Sequence, residues 1–155
     1  LHANLMWDTS CDTEKLISEF MNAYYKEAAP YMNYILELWR TRWNLIENAY
    51  QKFLYAFDSF NDLMDRKYWS KQFVESLEEA YSCAFASIKE NRQHSLLADR
   101  ILKEYMTVQF LKIYLYPELV SDLEEEKKRF KENRVKFNVC HLQEAGDGVL
   151  WDEKQ

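Results

Sequence analysis

Glycine is almost missing from this sequence. Of 155 residues only two are glycine, Gly146 and Gly148, and both fall in the last ten. Tight hairpins call on Asn-Gly, Asp-Gly or a similar pair. None appears before Asp147-Gly148, so residues 9 to 145 do not read as an all-β or βαβ chain. A phosphate-cradling loop of the Walker or Rossmann kind needs glycines inside the chain, and their absence excludes those nucleotide-binding classes. Proline is as scarce, at Pro30 and Pro117. No apolar run approaches the ~20 residues of a membrane span. A surplus of basic charge is lacking too: the net charge is −6, where a nucleic-acid partner would call for a basic face. The three cysteines, Cys11, Cys83 and Cys140, are far apart and odd in number. They suggest neither a disulfide framework nor a paired-ligand zinc site, and are expected to be buried or partly buried free thiols.

What is present is material for a core. Hydrophobic residues make up 48% of the chain, with 5 Trp, 11 Tyr and 9 Phe. A chain of this length is expected to form one domain that buries roughly 68–70% of its unfolded surface. The apolar residues recur at helical spacing. Asp12 or Thr13 can cap a first helix whose stripe is Leu16, Ile17, Phe20 and Tyr24. Pro30 suits the first turn of a second helix, with Tyr31, Tyr34, Ile35, Leu38, Leu45 and Ile46 on one side. That helix runs on unbroken or kinks between Trp39 and Asn44.

Ser70 caps a third helix, with Phe73, Val74, Leu77, Tyr81, Ala84 and Ile88 on its buried face. Asn91 to His94 form a polar turn, and Ser95 is the expected cap of a fourth helix. Its stripe is Leu97, Ile101, Tyr105, Val108, Leu111 and Leu115, with Lys112 at the edge and Pro117 as its end. A fifth helix takes in Leu119, Val120, Leu123 and Phe130, and pairs Glu124 with Lys128 and Glu125 with Arg129. The expected fold is all-α: an antiparallel bundle of about five helices behind a short extended lead-in. The expected organisation is a lead-in over residues 1–11, a bundle domain over 12–134 and an irregular tail over 135–155.

One stretch is more specific. Ala3-Asn4-Leu5-Met6-Trp7-Asp8, a polar turn, then Glu14-Lys15-Leu16-Ile17 and Glu19-Phe20, resembles a segment of α-glucuronidases and related glycoside hydrolases. Asn22-Ala23-Tyr24-Tyr25 followed by Ala28-Ala29-Pro30-Tyr31 is similar to the helical C-terminal portion of large bacterial proteins related to those enzymes. Their usual form here is Tyr-Tyr-Gly before Ala-Ala-Pro-Tyr, and Lys26 stands where the glycine is common. Asn4 stands where a basic residue is common. The match covers residues 3 to 38.

The resemblance implies a (β/α)₈ barrel ahead of this chain, with the catalytic carboxylates at the C-terminal ends of its strands. This chain would hold the end of the last strand and a helical domain packed on the barrel, and no acid/base pair of its own. It implies a periplasmic or extracellular protein of carbohydrate metabolism. It also implies a substrate-wall position for Trp7, an aromatic face suited to a pyranose ring, and for Asn4 beside it.

Trp39 and Trp43, four residues apart with Arg40 and Arg42 beside them, are candidates for an interface. No catalytic or metal-binding residue and no cofactor is expected. The carboxylate pairs Glu78-Glu79, Asp58 with Asp62, and Glu124 to Glu126 read as exposed helix faces, and His2, His94 and His141 are isolated. The expected partner is the missing barrel domain, with a homodimer contact as a further role and neither nucleic acid nor a membrane span involved. The alternative function is an independent helical module that binds a protein partner.

Overall fold

The structure is a computed structural model that describes residues 12–49 and 63–139. Among these residues the chain is all-helical and holds no strand. Its α-helices are α1 (Thr13–Tyr25), α2 (Ala29–Ala49), α3 (Lys71–Ser87), α4 (His94–Leu115) and α5 (Leu123–Lys136). Short 3₁₀ turns at Lys26–Ala28 and Pro117–Leu119 join two of the gaps. The expected lead-in, the tail from residue 140, and with them Trp7 and Asn4, lie outside the described residues. The chain divides into two compact units, the first from residues 12–45 and 76–102, the second from 46–49, 63–75 and 103–139.

In the first unit, α1 starts where Asp12 accepts the Lys15 backbone N–H at 3.0 Å. It ends in a sharp elbow. Lys26 sits at φ 53° and ψ −121°, a region glycine enters freely and a residue with a Cβ does not. Two side chains from further along the chain hold the elbow. Arg100 donates to the Tyr24 carbonyl at 2.6 Å while its guanidinium lies 4.0 Å over the Tyr24 ring. Asn91 donates to the Glu27 carboxylate at 2.7 Å. Beyond the elbow, Ala28 and Ala29 are fully buried, which only a methyl side chain allows at so close an approach. Pro30 falls in the first turn of α2, where its missing N–H costs nothing.

The buried face expected for α3 is present, with Phe73, Val74, Leu77, Tyr81, Ala84 and Ile88 all buried. Ser70 accepts from the Phe73 N–H at 3.4 Å as its cap. The start of α4 differs from expectation. The helix begins at His94 rather than after Ser95, because Asn91 turns back to accept the Gln93 N–H at 2.7 Å and sets the first turn earlier. α2 runs without a break through Trp39–Asn44.

In the second unit the lower part of α4 is buried on nearly every side. Met106, Val108, Phe110, Leu111, Ile113 and Leu115 are buried, and so are Gln109 and Lys112. A single stripe with Lys112 on its rim therefore understates this segment, which is buried over most of its circumference and leaves Thr107 and Tyr114 on its exposed side. Gln109 is satisfied at both ends of its amide, donating to Glu126 at 2.9 Å and accepting from Asn133 at 3.2 Å. Phe110 and Phe130 bring their ring centroids within 6.1 Å, in a cluster with Met106 and Ile113. At the end of α4, Arg66 donates to the Leu115 carbonyl at 2.7 Å, stacks over Tyr116 and pairs with Glu118 at 3.0 Å.

Leu119 and Val120 do not belong to α5. Pro117 starts a 3₁₀ turn that ends in an extended Val120, and Asp122 caps the new helix by accepting the Glu125 N–H at 3.0 Å. The far end also runs past the expected fade at Val135. α5 continues to Lys136 and closes as Asn138 takes φ 54°. The Val139 N–H then reaches the Arg134 carbonyl at 2.9 Å and the Asn138 N–H reaches Val135 at 3.2 Å, the paired bonds that close a helix on a left-handed residue.

Lys26→Gly is expected to raise stability by about 1 kcal/mol in urea unfolding. That is the difference between the roughly 1–3 kcal/mol of strain relieved and the roughly 1 kcal/mol of backbone freedom glycine adds to the unfolded chain. Lys26→Ala keeps the Cβ and is expected to shift stability by less than about 0.5 kcal/mol.

Candidate functional site

The stripe Leu16, Ile17, Phe20 and Tyr24 is only partly covered: Phe20 is 54% exposed, Leu16, Ile17 and Tyr24 are half-buried, and Tyr25 is the one buried residue of α1. Spacing placed these residues on one face correctly; spacing carries no information about what covers that face. Leu16, Ile17, Phe20 and Met21 of α1 meet Leu36 of α2 around an open groove of about 580 Å³. Phe20 stacks on Tyr24 at 5.1 Å, and Tyr24 meets Tyr25 edge-on at 4.9 Å, so the exposed ring is held from behind.

The rim is charged and internally matched. Arg40 of α2 bonds Glu37 at 2.6 Å and lies 3.6 Å from Glu14 of α1. Lys15 and Glu19 pair along α1 at 4.0 Å. The Arg40–Glu14 pair joins two helices; Leu36 was not singled out from sequence, and Arg40 only as a neighbour of Trp39 and Trp43. Their partnership with α1 depends on the angle of the elbow, which no local pattern encodes.

The other candidates fall elsewhere. Trp39 and Trp43 are half-buried on α2 and engaged with neighbouring groups. A second, smaller groove of about 280 Å³ in the other unit is lined by Lys103, Glu104, Met106, Thr107, Phe110, Phe130 and Val139. Cys83 is exposed rather than buried, because it lies on the solvent side of α3 while Tyr81 and Ala84 face inward. Glu124 pairs with Lys127 at 3.0 Å rather than with Lys128, whereas Glu125 meets Arg129 at 3.3 Å as its spacing predicts. Glu79 and His94 are exposed and Glu78 half-buried; His2, His141, Asp58, Asp62, Cys11 and Cys140 lie outside the described residues.

Among the described residues no group of three or more His, Cys, Asp or Glu side chains is placed to hold a metal ion. No helix there is long and apolar enough to cross a membrane. One perturbed pair stands out, Asp65 with Lys67. The Lys67 backbone N–H donates to Asp65 at 2.8 Å and its ammonium lies 3.3 Å away. The backbone bond first, and the ammonium with it, hold the Asp65 carboxyl below its ordinary value of 3.8. Asp65 and then Tyr68 push the Lys67 ammonium above 10.5. Both groups are exposed, and the backbone bond between them closes a turn.

No protein-family model matches the chain, and neither the curated proteins nor the solved structures contain a match to it.

The Asp65 contribution to stability is present above the unfolded value near 3.8 and is lost as pH falls through the lower folded value. That of Lys67 is present below 10.5 and is lost as pH rises through its higher folded value. Carboxyl-detected NMR titration is expected to place the Asp65 midpoint below 3.8. Lys67→Ala is expected to return the midpoint only part of the way, because the residue 67 backbone N–H remains.

Proposed function

We propose that this chain is the helical C-terminal domain of a periplasmic or extracellular glycoside-hydrolase-like protein related to α-glucuronidases, and that it acts without chemistry of its own by bracing the catalytic barrel. The observation that carries this reading is the backbone at Lys26. The resembled proteins place glycine directly after the paired tyrosines. Here Tyr24-Tyr25 is followed by lysine, yet residue 26 keeps φ 53°. A lysine does not choose that conformation by its own preference. The elbow requires it, and the resembled sequence supplies the residue that takes it without strain. Agreement between a sequence word and a backbone angle that the resident residue disfavours weighs more than agreement of side chains alone.

A second observation points the same way. The resemblance spans residues 3 to 38, and the open apolar groove is built from residues 16 to 40. A domain made to lie against a larger body should show an uncovered apolar face, since isolated soluble domains rarely keep one without a use.

The test is the coding region ahead of Leu1. It is expected to encode several hundred residues of alternating strand and helix patterns, and that polypeptide, produced separately, is expected to form a 1:1 complex with this chain on size-exclusion chromatography with light scattering. A reading frame that opens within a few residues of Leu1 sinks the proposal and favours an independent interaction module. So does an upstream polypeptide that folds and does not bind.

A further inference from the structure

We propose that the smaller groove, between α4 and α5, is the docking site of the chain's own Val149-Leu150-Trp151, with Trp151 as the anchor. The proposal is independent of the bracing role, because every residue lining this groove belongs to the second unit.

The chain leaves α5 at the edge of this groove. Asn138 takes φ 54° and turns the backbone, and the Val139 N–H closes on the Arg134 carbonyl at 2.9 Å. Val139 is thereby packed against the cluster of Met106, Phe110, Ile113 and Phe130, and it lines the groove itself. Whatever follows Val139 therefore starts at the mouth of the groove, and a short connection holds it there at a high effective concentration.

Among residues 140–155 the longest apolar run is Val149-Leu150-Trp151. Between Val139 and that run lie both glycines of the sequence, Gly146 and Gly148, flanking Asp147. Glycine and aspartate are the residues that reverse a backbone at least cost. A reversal there sets Trp151 level with residue 143, about 14 Å of extended chain from Val139. The α4 wall from Lys103 to Phe110 is about 10 Å long, which is the length of three extended residues.

The groove suits an indole. Met106, Phe110, Phe130 and Val139 give it an apolar floor, and Lys103, Glu104 and Thr107 a polar rim. An indole offers a flat apolar body to aromatic rings and a thioether, and an N–H at its edge to a polar rim. Charge favours the same segment. Lys103 and Glu104 are exposed, and neither pairs with a described residue. Trp151 is followed by Asp152-Glu153-Lys154, acids to meet Lys103 and a base to meet Glu104. One cation beside one anion offers no surplus charge to a phosphate backbone or an anionic lipid surface.

The experiment uses the full chain labelled with fluorotryptophan, and the Trp151 fluorine resonance is assigned by its loss in Trp151→Phe. Shielded from water, that resonance is expected to lose the shift between light and heavy water that an exposed indole shows. Thr107→Arg, at an exposed position of the groove, is expected to restore the shift, and Thr107→Ser to leave it lost. The groove reports in return: the methyl resonance of Met106 is expected to move in Trp151→Ser, a change that leaves α4 and α5 intact.

A wild-type Trp151 with the full solvent shift overturns the proposal. So does a shielded Trp151 that ignores Thr107→Arg while helix content by circular dichroism is kept. If Thr107→Arg unfolds the chain, Met106 decides, and a methyl that ignores Trp151→Ser overturns the proposal too. Shielding that disappears on dilution from about 1 mM to about 20 μM assigns the groove to the segment of a second copy and overturns docking within one chain.

Discussion

A helix leaves its last carbonyls without partners, and a chain with no glycine before residue 146 has lost the commonest way of closing them. Two of the described helices are closed with arginine instead. Arg100 donates to the Tyr24 carbonyl at the end of α1 and Arg66 to the Leu115 carbonyl at the end of α4. Each guanidinium supplies fixed N–H donors and a positive charge where the helix dipole is negative. Both also lie over a tyrosine ring, Tyr24 or Tyr116. The N-terminal ends are closed by short polar side chains, at Asp12, Ser70 and Asp122. Where a left-handed residue is unavoidable, asparagine takes it at 138 and lysine at 26. Of these two, asparagine tolerates it and lysine is strained.

This economy explains what could be read in advance. Caps are local, so Asp12 and Ser70 were legible from their place ahead of an apolar period. So was the buried face of α3, whose six expected residues all lie inside. Features set by distant partners were not legible. The fourth helix starts early because Asn91 serves both Gln93 and Glu27. Lys112 is buried because the segment around it is packed over most of its circumference, and Leu119 and Val120 leave the helix because Pro117 and Asp122 define separate turns. Apolar spacing gave the face of α1 and left open what covers it. Burial belongs to a pair of surfaces, and the sequence of one surface cannot state the other.

Most charged side chains among the described residues are matched within the chain. Charged side chains along α5 and α1 pair at three- and four-residue spacing, and the buried amide of Gln109 is matched at both ends. The Asp65–Lys67 pair, whose protonation is shifted, stands in an exposed turn. Apolar surface left uncovered includes Phe20, Tyr34, Leu96 and Val135, of which Phe20 lines the groove of α1 and α2.

The dense pairing on α5 has a consequence for the unfolded chain. Asp122, three glutamates in the first turn, and the bonds from Glu124 to Lys127 and Glu125 to Arg129 all act within a few residues of one another. Contacts so close in sequence need no tertiary partner, so they favour transient helix when the rest of the molecule melts. Denaturant then exposes less new surface from this segment than its length implies, and the steepness of the unfolding transition is set by the buried lengths of α3 and α4.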